Sequence, residues 1–213
     1  MTPALTAVYD ELLLRASADP FAAEAEQLRA AFATRCGAVP DDHETRGVRD
    51  DAAWEDALVQ GGLARRVADT LDDPSERSLA ITFALAQRGL FVAFAVGSRV
   101  CVRDLWRGGE FLLLARDDLA RSFAEVDGVP FAGRLIAGAD GCAVLPGRLW
   151  LPTTSLPLLP AIVDEARRRS LDTDPAIEAI CWMEHLMATM SRVKPQYAFR
   201  PENLDRRVPS PRR

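Results

Sequence analysis

Along the first 88 residues, apolar positions recur at helical spacing. Leu5, Val8, Leu12 and Leu13 share one face at a 3.6-residue period and predict a helix over 4–17. A second helix is predicted over 21–36, where Asp19 and Pro20 supply a capping side chain and a first-turn proline, and Gly37 supplies a left-handed stop. The two are expected to pack antiparallel through Phe21, Leu28 and Phe32. Residues 38–51 are polar, include Pro40 and Gly47, and have no apolar period, so they read as a loop. Helical pattern resumes over 52–60 and 63–71 around Gly61 and Gly62. Asp73-Pro74-Ser75-Glu76 then has the form of a capping box, opening a helix that the pattern carries to Gly89. Its apolar residues Leu79, Ile81, Phe83, Ala84 and Leu85 surround the axis, so this helix is expected to be the most buried of the N-terminal set.

At Gly89 the pattern changes to short runs of branched and aromatic residues separated by turn signals. Strands are predicted over 90–96 and 99–106, closed into a hairpin by Gly97-Ser98, and over 110–115, 131–137 and 142–151. A short aspartate-capped helix is expected over 116–123. The order β-β-β-α-β-β is that of an OB-like barrel and equally suits an SH3-like barrel or a curled antiparallel sheet. Helices follow over 162–170 and 173–193, the latter opened by Thr173-Asp174-Pro175 and striped by Ile177, Ile180, Met183, Met187 and Met190. The chain is therefore read as α+β: a helical layer (1–88), a small five-stranded antiparallel barrel or sheet (89–152), and C-terminal helices (153–193) packing on both. A basic, proline-rich tail (194–213) completes it, expected to be disordered after about residue 204.

Composition narrows the class further. A chain of 213 residues that is 48% hydrophobic and 27% charged is neither collagenous, mucin-like nor disordered. With 26 basic against 31 acidic side chains the net charge is −5, so a whole-protein attraction to nucleic acid or anionic membrane is not expected. Cys36, Cys101, Cys142 and Cys181 form no C-x-x-C pair and read as free thiols of a reducing compartment. The N-terminus shows no basic-then-apolar leader, and the most apolar stretch, 79–96, is broken by Gln87-Arg88-Gly89. A cytoplasmic location without a membrane span is expected.

Candidate chemistry is sparse. His43 sits in Asp41-Asp42-His43-Glu44, a cluster that reads as a solvated charged loop, and His185 is the one other histidine. Glu178, Cys181 and His185 stand at i, i+3 and i+7 on one helix face and form a weak metal or thiol site, with Cys36 or Cys142 as a further ligand. The plainer reading of that face is a packed cysteine and a hydrogen-bonded histidine. No G-x-G-x-x-G, P-loop, G-x-S-x-G or H-E-x-x-H pattern occurs, so no cofactor is expected. Residues 89–152 hold seven arginines and seven acids, which gives no basic track. A nucleic-acid-binding barrel is the first alternative, requiring Arg99, Arg103, Arg107, Arg134 and Arg148 to converge beside Trp106 or Trp150. A metal-dependent or thiol enzyme on the Glu178/Cys181/His185 face is the second. The favoured expectation is a non-catalytic binding or regulatory protein acting on another protein or a second copy of itself, with Arg103, Trp106 and Arg107 as its contact residues.

Overall fold

A computed structural model describes residues 3–97, 99–113, 128–138 and 141–205. The helix expected over 116–123 and the end of the tail lie outside the described residues. Within them the chain is α+β, with helices on both sides in sequence of a curled antiparallel sheet. The order is α1 (Pro3–Ala16), α2 (Ala22–Cys36), α3 (Arg46–Val59), α4 (Leu63–Ala68), α5 (Pro74–Phe83), β1 (Gln87–Val96), β2 (Arg99–Asp104) and β3 (Glu110–Leu112). It continues with β4 (Pro130–Gly138), β5 (Gly141–Val144), β6 (Leu149–Trp150), α6 (Leu159–Arg168), α7 (Thr173–Thr189) and α8 (Pro195–Ala198). No helix among the described residues is long and apolar enough to cross a membrane.

The strands lie in the order β3-β2-β1-β4-β5, with β6 also pairing β4. The β1–β2 register ends at Val96↔Arg99, the two-residue hairpin that Gly97 predicts. Beyond β3, Leu113 bridges Cys142 of β5, so the two ends of the sheet approach each other and the sheet curls into a half-barrel. The strand expected over 142–151 is two strands, because the segment turns between Val144 and Leu149 through Pro146 and Gly147. Inside the curl, Phe91, Val102, Phe131, Leu135 and Val144 form one core, with the Phe91 and Phe131 rings 5.4 Å apart. The opposite face of β1 and β4 presents Arg88, Leu90, Ala132, Arg134 and Ile136 to the helices, as the two-residue period of a strand requires. Two further cores flank it: one joins α1, α3, α4 and α5, the other joins α2, α6 and α7.

Several helix boundaries differ from the sequence expectation, each for a local reason. Residues 46–51 are not loop but the first turns of α3. Its inward face carries Arg49, Ala52, Ala53 and Asp56, so the helical period is written partly in charges and escapes an apolar count. Arg46 donates to Asp50 at 3.0 Å one turn along, which supports that first turn. Helix α5 stops at Phe83, because Gln87 and Arg88 pair with β4 as strand. It is not the most buried N-terminal helix: Ile81 within it and Leu85 just beyond it are 43% and 59% exposed, and α3 buries more of its residues. Asp73 does cap α5, accepting from the Ser75 and Glu76 N–H groups at 2.7 and 3.4 Å. Asp19 does not cap α2, which begins after Phe21. Helix α7 opens at Thr173 after Asp172 and ends at Thr189, four residues short of expectation.

Candidate functional site

Where α2, α3 and α7 meet the sheet, an ionic network is buried. Arg88 and Arg134 are direct cross-strand partners on β1 and β4 and point to the same side, a repulsive placement in isolation. Asp56 of α3 resolves it, accepting from Arg134 at 2.9 Å, Arg88 at 3.4 Å and Arg35 at 2.6 Å. Glu178 of α7 closes the ring, accepting from Arg88 at 3.3 Å and Arg35 at 2.7 Å. Gln60 accepts from Arg134 at 2.6 Å. Burial, then the like charge of Arg88, pushes the Arg134 pKa down from its ordinary value. Arg88, Arg134 and Asp56 are buried while Arg35 and Glu178 stand at the solvent edge, and a cavity of about 10 Å³ lies beside the network. Removing one member of such a network leaves an uncompensated buried charge, so its first consequence is architectural.

Glu55, one residue before Asp56, is fully buried and accepts from the Gly147 N–H at 2.5 Å. Burial pushes its carboxyl up to about 7, against pulls downward from Arg134 and the Gly147 N–H. The folded protein therefore holds this proton between about pH 4.5 and 7, where the unfolded chain releases it, and stability falls as pH rises through that window. The loss is on the order of 3 kcal/mol. The His185 imidazole, lowered to about 4 by burial and by Arg49, works in the opposite sense, adding stability as pH rises from about 4 to 6.5. Urea denaturation at about pH 5 and about pH 8 separates the two: relative to the parent protein, Glu55→Gln is expected to gain on the order of 2–3 kcal/mol between these pH values. An unchanged difference would show that Glu55 titrates normally.

The structure brings Glu178, Cys181 and His185 onto the α7 face that meets α2, but each has a separate task. Glu178 belongs to the ionic ring. Cys181 lies against Cys36, whose burial raises its own pKa and whose thiol donates to Cys181, lowering the latter. Arg88 donates to the Cys36 sulfur at 3.7 Å. The His185 ring packs on Gly37, where an added Cβ would meet it at 2.2 Å, so the positive φ of +92° there is matched by a need for space. Cys142 lies on β5, away from this face. Among the described residues no three His, Cys, Asp or Glu side chains gather to hold a metal. His43 also turns inward, contacting Thr45 Oγ1 at 2.9 Å and the Ala188 carbonyl at 3.1 Å.

Beside Gly37 a cavity of about 130 Å³ opens between α2 and α3. Three guanidinium side chains line it, those of Arg29, Arg46 and Arg49, with Glu26 and Asp50 and with walls from Phe32, Ala33, Val39 and Ala53. Arg49 is 5% exposed; it donates through Nη1 to the Cys36 and Gly37 carbonyls at 3.3 and 3.2 Å and through Nη2 to Glu184. Burial raises the Glu184 pKa, opposed by Arg49. Arg29 lies over Trp54 at 4.4 Å, with Nη1 3.4 Å from Glu26 and Nη2 3.8 Å from Asp50. The Nε atoms of Arg29 and Arg49 are buried and find no acceptor within the protein. Both donors lie beneath the cavity surface, out of reach of water, and a buried donor left unmade costs about 1–3 kcal/mol.

Sequence reading missed this cavity because it assigned 38–51 to a loop; the spacing of Arg46, Arg49 and Asp50 was its only trace. At the far end of β2, Asp104 accepts from the Trp106 and Arg107 N–H groups at 2.7 and 3.0 Å and from Arg107 Nη1 at 3.0 Å. Arg103 is ion-paired to Glu110, and Arg167 donates to the Trp106 carbonyl with its guanidinium 6.0 Å above the indole ring. Arg134 faces α3 and Arg148 lies over Trp150, so the five arginines named for a nucleic-acid track do not share one open face.

Fold and site together define an α+β protein in which a curled half-barrel sheet is clamped to helices by buried ion pairs, with an arginine-lined cavity at the helix end of the clamp. No family model matches the chain, and no curated protein or solved structure shows significant similarity to it.

Proposed function

We propose that this chain is a non-catalytic binding or regulatory protein that takes a small ligand in the cavity between α2 and α3. One observation supports the reading: Arg29, Arg46 and Arg49 line one cavity together with an apolar wall from Phe32, Ala33, Val39 and Ala53. Several convergent charged groups beside an apolar wall are the usual make-up of a small-molecule site. The test is native mass spectrometry of protein purified from its own host at low salt, comparing the parent with Ala33→Leu, which fills the cavity from the half-buried face of α2. A one-to-one small-molecule adduct on the parent, absent from the variant, is the expected result. A parent that carries no adduct, even after incubation with host metabolites, or that carries a stoichiometric metal instead, overturns the reading.

A second reading concerns the end of β2. The Arg103 and Arg107 side chains, close in sequence to Trp106, stay about half exposed, as suits contact with another protein. The same spectra report subunit count and bound chains. Arg103→Glu, a reversal on an exposed side chain, is expected to deplete any complex held through this rim.

A further inference from the structure

We infer that the open end of the half-barrel is a second binding site, which takes a small neutral molecule with an apolar body about one ring in size. The strand registers build it. Gln87 pairs with Leu135, Phe91 with Asp104 and Ala137 with Cys142, so these six side chains fall on the concave side of the curl, opposite the face that carries Arg88 and Arg134. Together with Phe111 they line a cavity of about 110 Å³. Phe91, Asp104 and Leu135 are buried at its base, while Leu85, Gln87, Arg107 and Ala137 stand exposed at its rim, so a ligand reaches it from solvent.

The walls decide the body of the ligand. Phe91, Phe111, Leu135 and Ala137 are apolar, and Leu85 leaves a large apolar side chain in water beside the opening, which a bound molecule covers. A dry cavity of about 150 Å³ lined by Leu, Ile and Phe holds benzene, and the mouth of a β-barrel is a usual place for such a site. Charge decides that the ligand is neutral. Asp104 and Arg107 are the charged residues of the lining among the described residues, and they pair with each other, Arg107 Nη1 donating to Asp104 Oδ2 at 3.0 Å. The same Nη1 donates to the Arg88 carbonyl at 3.1 Å, and Asp104 Oδ1 accepts from the Trp106 and Arg107 N–H groups, so both charges are held in place. A carboxylate would compete with Asp104 and an ammonium with Arg107, and either brings one charge more than the site balances. The Gln87 amide at the rim offers an uncharged donor and acceptor for one polar group.

The test is isothermal titration of the full chain with phenol, benzoate and benzylammonium, paired with the rate at which iodoacetamide alkylates Cys142 on the cavity wall. Cys101 is the reference, since Val100 and Val102 on either side of it point into the curl and it faces the convex side. Phenol is expected to bind one-to-one and to slow alkylation of Cys142 severalfold while Cys101 reacts as before. Benzoate and benzylammonium are expected to bind at least about tenfold more weakly, the cost of one unbalanced charge. Ala137→Phe, at an exposed strand end, fills the cavity and is expected to remove both binding and protection. Arg107→Met leaves Asp104 without its guanidinium and is expected to place benzylammonium ahead of phenol. Ala33→Leu, in the α2–α3 cavity, is expected to change nothing.

No saturable phenol binding to the parent, equal protection of Cys101 and Cys142, or binding that Ala137→Phe leaves intact overturns the site. Benzoate or benzylammonium bound by the parent as tightly as phenol overturns the neutral ligand. Phenol binding that Ala33→Leu removes places the molecule between α2 and α3, which overturns this inference and leaves the reading of that other cavity standing.

Discussion

Asp56→Ala is expected to cost about 3–5 kcal/mol of folding stability, a large share of what an ordinary domain has. Asp56 is the carboxylate on which Arg35, Arg88 and Arg134 converge. Without it, two buried guanidinium groups on adjacent strands face each other, with Glu178 and the high-pKa Glu55 as the nearest carboxylates paired to them. Urea denaturation followed by circular dichroism measures the loss. A companion variant separates charge from volume: Asp56→Leu, Arg88→Met and Arg134→Met together are expected to return most of the lost stability, since apolar replacement of a whole buried ion cluster is commonly neutral or better. A triple variant as unstable as Asp56→Ala would mean that these groups do more than balance one another.

Gly147→Ala is expected to be nearly as damaging, for a different reason. An added Cβ would lie 2.4 Å from the Ala52 nitrogen, 2.5 Å from its Cα and 2.7 Å from the Asp51 carbonyl carbon, all backbone atoms of α3. No side chain can swing aside, so the helix must move off the sheet. The shift would also disturb the hydrogen bond from the Gly147 N–H to Glu55. Overpacking of this kind costs about 1–3 kcal/mol, and the upper end is expected here because both surfaces are backbone. Thermal unfolding of Gly147→Ala beside Gly47→Ala, whose added Cβ meets nothing within 4 Å, provides the internal comparison. Equal melting temperatures would contradict the close approach.

These two sites mark the boundary of what the sequence made legible. The cap at Asp73, the stop at Gly37 and the hairpin at Gly97 are set by residues a few positions apart, and each stands where the local pattern puts it. The α+β order follows from the switch between helical and strand periods near Gly89. The start of α3 was hidden because its inward face is built from Arg49, Ala52, Ala53 and Asp56, and an apolar count assigns charges to solvent. Arg88 and Arg134 did leave a signal: the first interrupts the most apolar stretch, and the second is the one charged residue of the run 131–137. A charge inside a buried strand demands a buried partner, but which carboxylate meets it is decided by the packing of α3 and α7 on the sheet. The weak trio on α7 was correct as a shared face and silent about its neighbours, since Cys36, Arg35 and Gly37 arrive from α2, more than a hundred residues earlier.

The most direct measurement on the central claim is the native mass spectrum of the protein from its own host at low salt, read beside that of Ala33→Leu, which fills the cavity. A one-to-one small-molecule adduct on the parent that Ala33→Leu does not carry is the expected result. A parent without any adduct after incubation with host metabolites, or an adduct that Ala33→Leu carries equally, would contradict the cavity as the ligand site.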